Sequence, residues 1–258
     1  MLKTCTLYSG SSGNSIYVES KNTKILIDVG VSCKKILEAL EQIKVNILDI
    51  NAILITHEHI DHTKALNLLS SKFNIPVYCN KLTWDALKLT CPVQKNTFTN
   101  NEFFEIGDLK IFPFSTSHDA ADPCGFNIYN QNSKITIATD IGCVSSNLLK
   151  NLENSSLLFV ESNYDPEVLK MSSYPYKLKQ RIASNIGHLD NYSAGKIISF
   201  LSNNGLKDAI LIHLSKENNF SELALATVNE ELQKTNKEIK TNIYIAPRNE
   251  PSKFFEVI

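Results

Sequence analysis

The sequence has almost no net charge, no closely spaced cysteine pair and no long apolar run. Its 258 residues carry a formal net charge of −1, so no global basic field points to nucleic acid or an anionic membrane, and any contact with a polyanion must be local. No apolar run approaches the roughly 18 to 20 residues that a membrane helix requires, and no secretory signal precedes the first strand-like segment. A protein that neither spans a membrane nor is exported is therefore expected.

The six cysteines are widely spaced, and none belongs to a C-x-x-C pair. Five of them stand next to apolar or turn residues, where buried free thiols are typical. This pattern predicts a reducing, cytoplasmic location. Hydrophobic residues make up 43% of the chain and charged residues 21%, which is ordinary for a globular protein with a sizeable core. Since no low-complexity linker divides the chain, a single domain over residues 1–258 is expected.

Histidine is also scarce, yet three of the six histidines fall within six residues. A strand-like apolar run at residues 53–55 ends at Thr56 and is followed by His57, Glu58, His59, Ile60, Asp61 and His62. Histidines two apart project to the same side of an extended segment, so His57 and His59 can bind one cation together. Asp61 and His62 can face a second cation, with Glu58 and Ile60 as spacers. The alternative is a polar loop that merely follows a strand, and the concentration of a scarce residue argues against it.

The remaining histidines and two aspartates lie where predicted strands end or a predicted helix starts. They are His118 after residues 109–114, His213 after residues 209–212, His188 ahead of residues 193–201, and Asp28 and Asp140 at the ends of two apolar runs. Each of them alone is more typical of a structural residue or a turn former. Together they are expected to meet at one edge of a sheet, where functional sites are generally built.

Ligand counting divides these residues into two cation sites. The first site takes His57, His59 and His118, the second takes Asp61, His62 and His213, and Asp140 bridges both. Three protein ligands and a shared carboxylate leave each ion a position for water, which is typical of a catalytic site. Nitrogen and carboxylate ligands without thiolate suit zinc or manganese, and two such ions roughly 3.5 to 4 Å apart can activate water for hydrolysis. Asp28 is expected to accept the N–H of a metal-bound imidazole.

Hydrophobic periodicity predicts strands and helices along the whole chain. The predicted strands are residues 2–8, 16–19, 24–28, 53–55, 76–79, 103–106, 109–114, 125–129, 134–138, 157–160, 209–212, 242–245 and 254–257. The predicted helices are residues 32–43, 63–73, 82–89, 176–186, 193–201 and 221–233. The pattern suggests two halves that divide near Asn130, each with strands followed by helices.

The segment from Thr56 to His62 fits the signature T-H-x-H-x-D-H and therefore resembles the metallo-β-lactamase superfamily. His118, Asp140 and His213 fall in the later ligand motifs of that superfamily in the expected order. The resemblance implies an α/β fold of the αββα sandwich type, in which two mixed β-sheets flanked by helices carry a dinuclear metal site at one edge. The strands and helices predicted above are compatible with this fold.

A narrower resemblance concerns residues 10–15, 174–182 and 187–191, which are similar to the YycJ (WalJ, VicX) subfamily. Its members are linked to a bacterial two-component cell-wall regulatory operon and are similar to DNA exonucleases. Phosphodiester-cleaving relatives use a glutamate and a histidine that protonate the leaving group, and Glu161 and His188 match those positions. Asp61 is expected to orient the attacking water or to accept its proton. Without the resemblance, His188 would be interpreted as a structural residue at the start of a helix.

Basic and aromatic residues are interleaved around His188, among them Tyr176, Lys179 and Arg181. Such a combination is typical of a groove that follows phosphates and stacks bases, although a charged helix is usually only a solvated face. Ser12 belongs to a glycine- and serine-rich turn that either connects two strands or binds an anion through its amides. On spacing alone the turn is a connector, and the subfamily resemblance assigns Ser12 to substrate contact.

Together these observations predict a cytoplasmic, two-metal phosphodiesterase that acts on nucleic acid, most specifically a 5' to 3' exonuclease that prefers single-stranded DNA. RNA stays open as a substrate, and no obligatory protein partner is evident. One alternative is a small-molecule hydrolase that cleaves a lactone, a thioester or a cyclic nucleotide with the same metals. Another is a regulatory binding protein with a remnant site, and the complete ligand set argues against it.

Overall fold

The structure, a computed structural model, describes residues 1–234 and 240–257. Its strands are β1 (Leu2–Tyr8), β2 (Ser15–Glu19), β3 (Lys24–Ile27), β4 (Ala52–Leu54), β5 (Val77–Asn80), β6 (Lys95–Phe98), β7 (Phe104–Ile106), β8 (Leu109–Ser115), β9 (Cys124–Asn130), β10 (Ser133–Ala138), β11 (Leu157–Glu161), β12 (Asp208–Ile212), β13 (Asn242–Ile245) and β14 (Phe255–Val257). Its helices are α1 (Cys33–Gln42), α2 (Ile60–Thr63), α3 (Leu66–Phe73), α4 (Lys81–Ala86), α5 (Ser146–Leu152), α6 (Pro166–Met171), α7 (Tyr176–Ile182), α8 (Asn191–Ser202) and α9 (Ser221–Gln233), with a short 3-10 helix at Ile47–Asp49.

The strands form two mixed seven-stranded sheets. The first sheet has the order β14-β1-β2-β3-β4-β5-β6, and the second has the order β13-β12-β11-β10-β9-β8-β7. Strands β3 to β6 run parallel to one another in the first sheet, and β10 to β13 do so in the second. The predicted αββα sandwich with helices on the outside is therefore confirmed.

Alternating side chains of the strands enter two apolar clusters, of which the larger also includes residues of α1 and α3. In β12, Ile210 belongs to the cluster between the two sheets, whereas its neighbour Leu211 belongs to the cluster beneath the outer helices of the second sheet. The second cluster takes Leu148 from α5, Ile198 from α8 and Val228 from α9. Since one continuous layer lies between the sheets, the prediction of a single domain is compatible with this packing.

Parallel strands place their carboxyl ends at one edge of a sheet. Asp28 follows β3, His57 lies in the loop after β4, Asp140 follows β10 and His213 follows β12, while Glu161 is the last residue of β11. The sandwich therefore gathers strand-end polar side chains from both sheets along one edge.

Within residues 1–234 and 240–257, no helix has the length and apolar character that crossing a bilayer requires.

The predicted division near Asn130 is wrong. The chain passes from the first sheet to the second between β6 and β7, and it returns to the first sheet with β14, which pairs with β1. Strands on both sides of this passage have the same alternation of apolar and polar residues, so periodicity alone does not tell which sheet a strand joins.

Several elements differ from the predicted ones in place or extent. Elements without a sequence prediction are β6, α5, α6 and the 3-10 helix, and α2 overlaps a predicted helix at Thr63 alone. Strand β6 lies at the edge of its sheet and buries only Phe98, so its sequence has no apolar alternation. The helix predicted over residues 63–73 begins only at Leu66, as α3. A separate short helix, α2, ends at Thr63, because the Ala65 N–H donates to Val29 O at 2.9 Å instead of continuing that helix. The helix predicted to reach residue 186 ends at Ile182, where the carbonyl accepts the His188 N–H at 2.9 Å.

Candidate metal centre

Three imidazoles meet at the end of the loop that follows β4. The His57 Nε2 lies 3.1 Å from the His59 Nδ1, and the His118 Nε2 lies 3.3 Å from the same atom. Tetrahedral zinc with nitrogen ligands at about 2.0–2.1 Å separates those ligands by about 3.3–3.4 Å. The spacing of the three nitrogens therefore fits a divalent ion between them.

A second set of donors lies beside the first. The Asp61 Oδ2 is 3.4 Å from the His62 Nε2 and 3.3 Å from the His213 Nε2. Asp140 stands between the two sets, with Oδ2 at 3.2 Å from the His62 Nε2 and Oδ1 at 3.6 Å from the His118 Nε2. The structure thus brings all seven predicted ligands into one cluster, and the division of those ligands between two ions stays a prediction.

Outer contacts fix the ring nitrogens that do not face the cluster. The His62 Nδ1 lies 2.7 Å from the Asp28 Oδ2. The same carboxylate accepts the Thr56 N–H at 2.9 Å and the Thr56 hydroxyl at 2.8 Å. The Thr56 Oγ1 also lies 3.0 Å from the His57 Nδ1. Such partners orient metal-binding imidazoles and set their tautomers, and Asp28 occupies the position predicted for it.

The other strand-end histidines are fixed in the same way. The His118 Nδ1 lies 2.8 Å from the Gly187 carbonyl oxygen, so that carbonyl accepts its proton. The His213 Nδ1 lies 3.0 Å from the Glu161 Oε1. In each case Nε2 is left for the cluster, which is the arrangement that a metal ligand requires.

Asp28, Asp140 and His213 share a left-handed backbone conformation, with φ of 59°, 55° and 58°. Asp28 and His213 directly follow buried strands, and Asp140 follows β10 after one intervening residue. For a residue with a side chain this conformation costs on the order of 1 kcal/mol or more and persists where the surroundings impose it. Strained residues of this kind are typical of functional sites, and the sequence pattern does not signal the strain itself.

Burial and neighbouring charges shift the pKa values in the cluster. Burial lowers the pKa of His57 well below its ordinary value, and His62 lowers it further. Burial alone would raise the pKa of Asp61, but His62 and His213 outweigh it and hold that pKa below its usual range. Burial opposes charge on His213, yet Asp140 and Asp61 raise its pKa to about 10. A cation bound there would compete with this proton, because an imidazole binds metal in its neutral form.

Glu161 and His188, the pair predicted to assist the leaving group, are in contact. The His188 Nδ1 lies 2.7 Å from the Glu161 Oε1 and 3.5 Å from the Asp140 Oδ1. The other oxygen of Glu161 accepts the N–H groups of Ile141 at 2.7 Å and Leu189 at 3.2 Å. Burial lowers the pKa of His188, but the charge of Glu161 outweighs it, so the pKa is raised.

The predicted substrate-binding residues are divided between the centre and other places. Arg181 donates from Nε to the Asp119 Oδ2 beside His118. Tyr176 is 73% exposed. The Lys179 ammonium, in contrast, donates to the carbonyls of Lys170 and Ser172.

Lys179 thus closes the end of α6 and is not brought to the centre. Ser12 is exposed on its turn, and within the described residues its side chain has no hydrogen bond. The structure therefore gives these two predicted substrate contacts no link to the donor cluster.

Some residues at the centre were missed by sequence reasoning. The Asn14 amide nitrogen lies 3.3 Å from the His62 Nε2, and the Asn163 amide donates to the His213 carbonyl at 2.9 Å. Glu58, interpreted as a spacer, accepts the Ala121 N–H at 2.9 Å and so ties the first histidine loop to the segment that carries His118. These contacts join residues far apart in the chain, and no sequence signal indicates them.

Comparison with known proteins agrees with this geometry. The Beta-lactamase superfamily domain matches residues 23–214. The exodeoxyribonuclease YycJ of Bacillus anthracis is 38% identical over 231 residues, which cover 88% of each chain. The exodeoxyribonuclease WalJ of Streptococcus pneumoniae strain D39 is 38% identical over 232 residues, which cover 88% of this chain and 86% of that protein.

Among solved structures, the metallo-β-lactamase fold protein YhfI from Bacillus subtilis has a TM-score of 0.71 at 15% identity and covers 97% of this chain and 98% of that one. At this identity the likeness shows the fold alone. The matched domain and the two relatives show more, because they share the sequence over most of the chain. The protein therefore belongs to the metallo-β-lactamase superfamily and, within it, to the family of the YycJ and WalJ proteins.

Proposed function

We propose that this protein is a two-metal exodeoxyribonuclease that hydrolyses phosphodiester bonds of nucleic acid. The observation that carries the proposal is the contact of 2.7 Å between Glu161 and His188, directly beside the seven donor side chains. Its relatives named exodeoxyribonuclease support a nucleic-acid substrate. As a member of this superfamily with the donor set in place, the protein is a metal-dependent hydrolase.

The proposed ligands form two groups around a shared carboxylate. His57, His59 and His118 would hold one divalent ion, Asp61, His62 and His213 the other, and Asp140 would contact both. Nitrogen and carboxylate donors suit zinc or manganese. When bound, such ions lower the pKa of water to about 7 and neutralise charge on a phosphoryl oxygen.

The side chains of the protein then divide the proton transfers. Asp61 lies within 3.4 Å of both His62 and His213, where its carboxylate orients the attacking water and accepts its proton. Since the Nδ1 of His188 is held by Glu161, its Nε2 is the atom that donates a proton to the departing alkoxide. Glu161 stabilises the imidazolium that makes this donation.

Three finer points belong to the proposal. The polarity is 5' to 3', the preferred substrate is single-stranded DNA, and the exposed Tyr176 offers a surface on which a base can stack. We also place the protein in the cytoplasm, because all six cysteines are free thiols.

The test uses protein loaded with zinc or manganese and end-labelled nucleic acids. We expect single-stranded DNA with a 5' label to release labelled mononucleotide first, and double-stranded DNA and RNA to be cut more slowly. Lactones, thioesters and cyclic nucleotides serve as the competing substrates. If a small ester is turned over rapidly while no nucleic acid is cut, the nuclease proposal fails.

A further inference from the structure

Asp119 lies between the metal centre and the surface. Its Oδ1 is 3.3 Å from the His118 Nε2 and is buried without a hydrogen-bond partner among the described residues. Its Oδ2 accepts the Nε–H of Arg181 at 2.5 Å. The Asp119 side chain is 22% exposed and that of Arg181 is 52% exposed. One carboxylate thus joins an inner ligand to an outer cation.

The backbone around Arg181 is fixed by a close turn. The Arg181 carbonyl accepts the Ser184 N–H at 3.2 Å, and the next carbonyl accepts the His188 N–H at 2.9 Å. A Cβ atom on Gly187 would lie 2.3 Å from the Arg181 carbonyl oxygen, so only glycine allows this approach. Because Gly187 also accepts the proton of His118, the turn keeps Arg181, His118 and His188 in one fixed arrangement.

The guanidinium of Arg181 has free donors on its outer side. Nε is used by Asp119, and the described residues provide no hydrogen-bond acceptor for the two terminal nitrogens. The hydrogen bond to Asp119 raises the pKa of Arg181, and the charge of Asp61 raises it further against the effect of burial. The group is therefore always charged. A planar guanidinium with both terminal nitrogens free is suited to pair with phosphate oxygens.

We propose that Arg181 binds a backbone phosphate next to the one that is cleaved, and that Asp119 is the residue that positions Arg181 for this contact. The inference rests on the proposed nuclease function, and it adds a second phosphate of the DNA backbone as a group that the protein recognises. Since the contact is to a second phosphate, a diester that has only one phosphate cannot use it. Loss of Arg181 should therefore weaken activity on an oligonucleotide but not on a diester with one phosphate, whereas a role in the chemical step would affect both.

The test compares two substrates in five metal-loaded variants: Arg181→Ala, Arg181→Lys, Asp119→Ala, Asp119→Asn and Lys177→Ala. Lys177→Ala is the matched control, because it removes one positive charge from an exposed position of the same helix. For a single-stranded oligonucleotide, we expect Arg181→Ala and Asp119→Ala to raise KM by about tenfold or more, as loss of a charged hydrogen bond predicts. Turnover of bis(p-nitrophenyl) phosphate and metal content per chain are expected to stay at the level of the parent protein.

The conservative variants give a graded result. Asp119→Asn keeps an acceptor for the Arg181 Nε without the charge, so its KM is expected to lie between those of the parent and Asp119→Ala. Arg181→Lys keeps the charge but loses the planar pair of donors, and it is expected to recover only part of the affinity. Lys177→Ala is expected to change KM by less than about twofold, the effect of one screened surface charge.

Binding gives a readout that does not depend on activity. Fluorescence anisotropy of a labelled single strand is measured against salt concentration, with all proteins metal-loaded and carrying His188→Ala to slow cleavage. Loss of one phosphate contact is expected to reduce the slope of log K against log salt by about 0.7 in the Arg181→Ala protein.

Other outcomes overturn the inference. If Asp119→Ala loses metal while DNA affinity is unchanged, Asp119 belongs to the metal site and does not position Arg181. If the small diester and the oligonucleotide are slowed equally, Arg181 acts in the chemical step. If neither Arg181 variant differs from Lys177→Ala, the pair is a surface ion pair without a binding role. A parent protein that cuts neither substrate contradicts the proposed function instead, and the salt slope then decides the role of Arg181 alone.

Discussion

At the scale of single residues, Glu161 is a buried carboxylate that contacts two histidines of the centre. Its Oε1 lies 2.7 Å from the His188 Nδ1 and 3.0 Å from the His213 Nδ1. One oxygen therefore serves both a proposed metal ligand and the proposed proton donor. A change of Glu161 is therefore expected to affect both metal binding and turnover, whereas a change of His188 is expected to affect turnover alone.

Replacing His188 by alanine is expected to lower turnover by about 10²–10⁴-fold, the contribution typical of a positioned acid. Metal content per chain is expected to stay unchanged, because the seven donors keep their own partners. Turnover on single-stranded DNA and metal analysis of the same preparation check this. Loss of metal in the variant would show that His188 is a ligand.

The variant Glu161→Gln is expected to lower turnover and also to weaken metal binding. The two oxygens of Glu161 accept from two imidazoles and two backbone N–H groups, whereas a glutamine amide has one accepting oxygen and an NH2 group that only donates, so one of these pairs is lost. Loss of such an outer partner typically costs about 10–100-fold in metal affinity. Competition with a chelator of known affinity measures the change. An unchanged metal affinity would mean that the contact with His213 does not orient that ligand.

At the scale of elements, the centre depends on how closely two turns approach each other. The Gly30 N–H donates to the Asn14 carbonyl at 2.8 Å, and the Asn14 N–H donates to the Asp61 carbonyl at 2.8 Å. A Cβ atom on Gly30 would lie 1.5 Å from the Asp61 carbonyl oxygen. The turn after β3 therefore supports the start of α2, which carries Asp61 and His62.

Replacing Gly30 by alanine is expected to destabilise the fold by at least about 1–3 kcal/mol, as overpacking does, and to reduce metal content by displacing Asp61. Urea denaturation and metal analysis measure the two effects. Gly205→Ala is the control: it strains a residue with φ of 90° in open space, so stability falls while metal content stays the same. Full metal occupancy in the Gly30 variant would contradict this account of the turn.

At the scale of the whole molecule, both sheets contribute to one centre. The proposed ligands follow strands of both sheets: His57, His59, Asp61 and His62 follow a strand of the first sheet, and His118, Asp140 and His213 follow strands of the second. The buried carboxylates Asp28, Asp140 and Glu161 lie at the same edge. Ions at this position would hold the two sheets together and neutralise the negative charge.

Removal of metal is therefore expected to lower the melting temperature of the whole protein. Ions present at about 100 to 1,000 times their Kd stabilise the native state by about 2.7–4.1 kcal/mol, which corresponds to about 5–15 °C for a chain of this size. Differential scanning calorimetry before and after dialysis against a chelator measures the shift, and added zinc or manganese should reverse it. Loss of metal without any shift would show that the ions do not link the sheets.

The sequence by itself determined the kind of fold and identified the inner candidate ligands. His57, His59, Asp61 and His62 lie within six residues of one another, so local geometry places their side chains together whatever the rest of the chain does. Asp28, Asp140 and His213 were found because each follows a buried apolar run. Strands and helices with clear periodicity were found for the same reason: their signal is local.

Only the tertiary structure decided which distant residues meet. Glu161 contacts both His188 and His213. Asp119 pairs with Arg181, and the Lys179 ammonium lies at the end of α6. These contacts depend on the order of the strands and on turns in which a glycine lets two backbone segments approach closely. Hydrophobic periodicity in the sequence predicts neither of these features. The sequence identified the side chains that can bind metal, and the packing of the two sheets decided what surrounds them, because contacts between separate elements depend on topology.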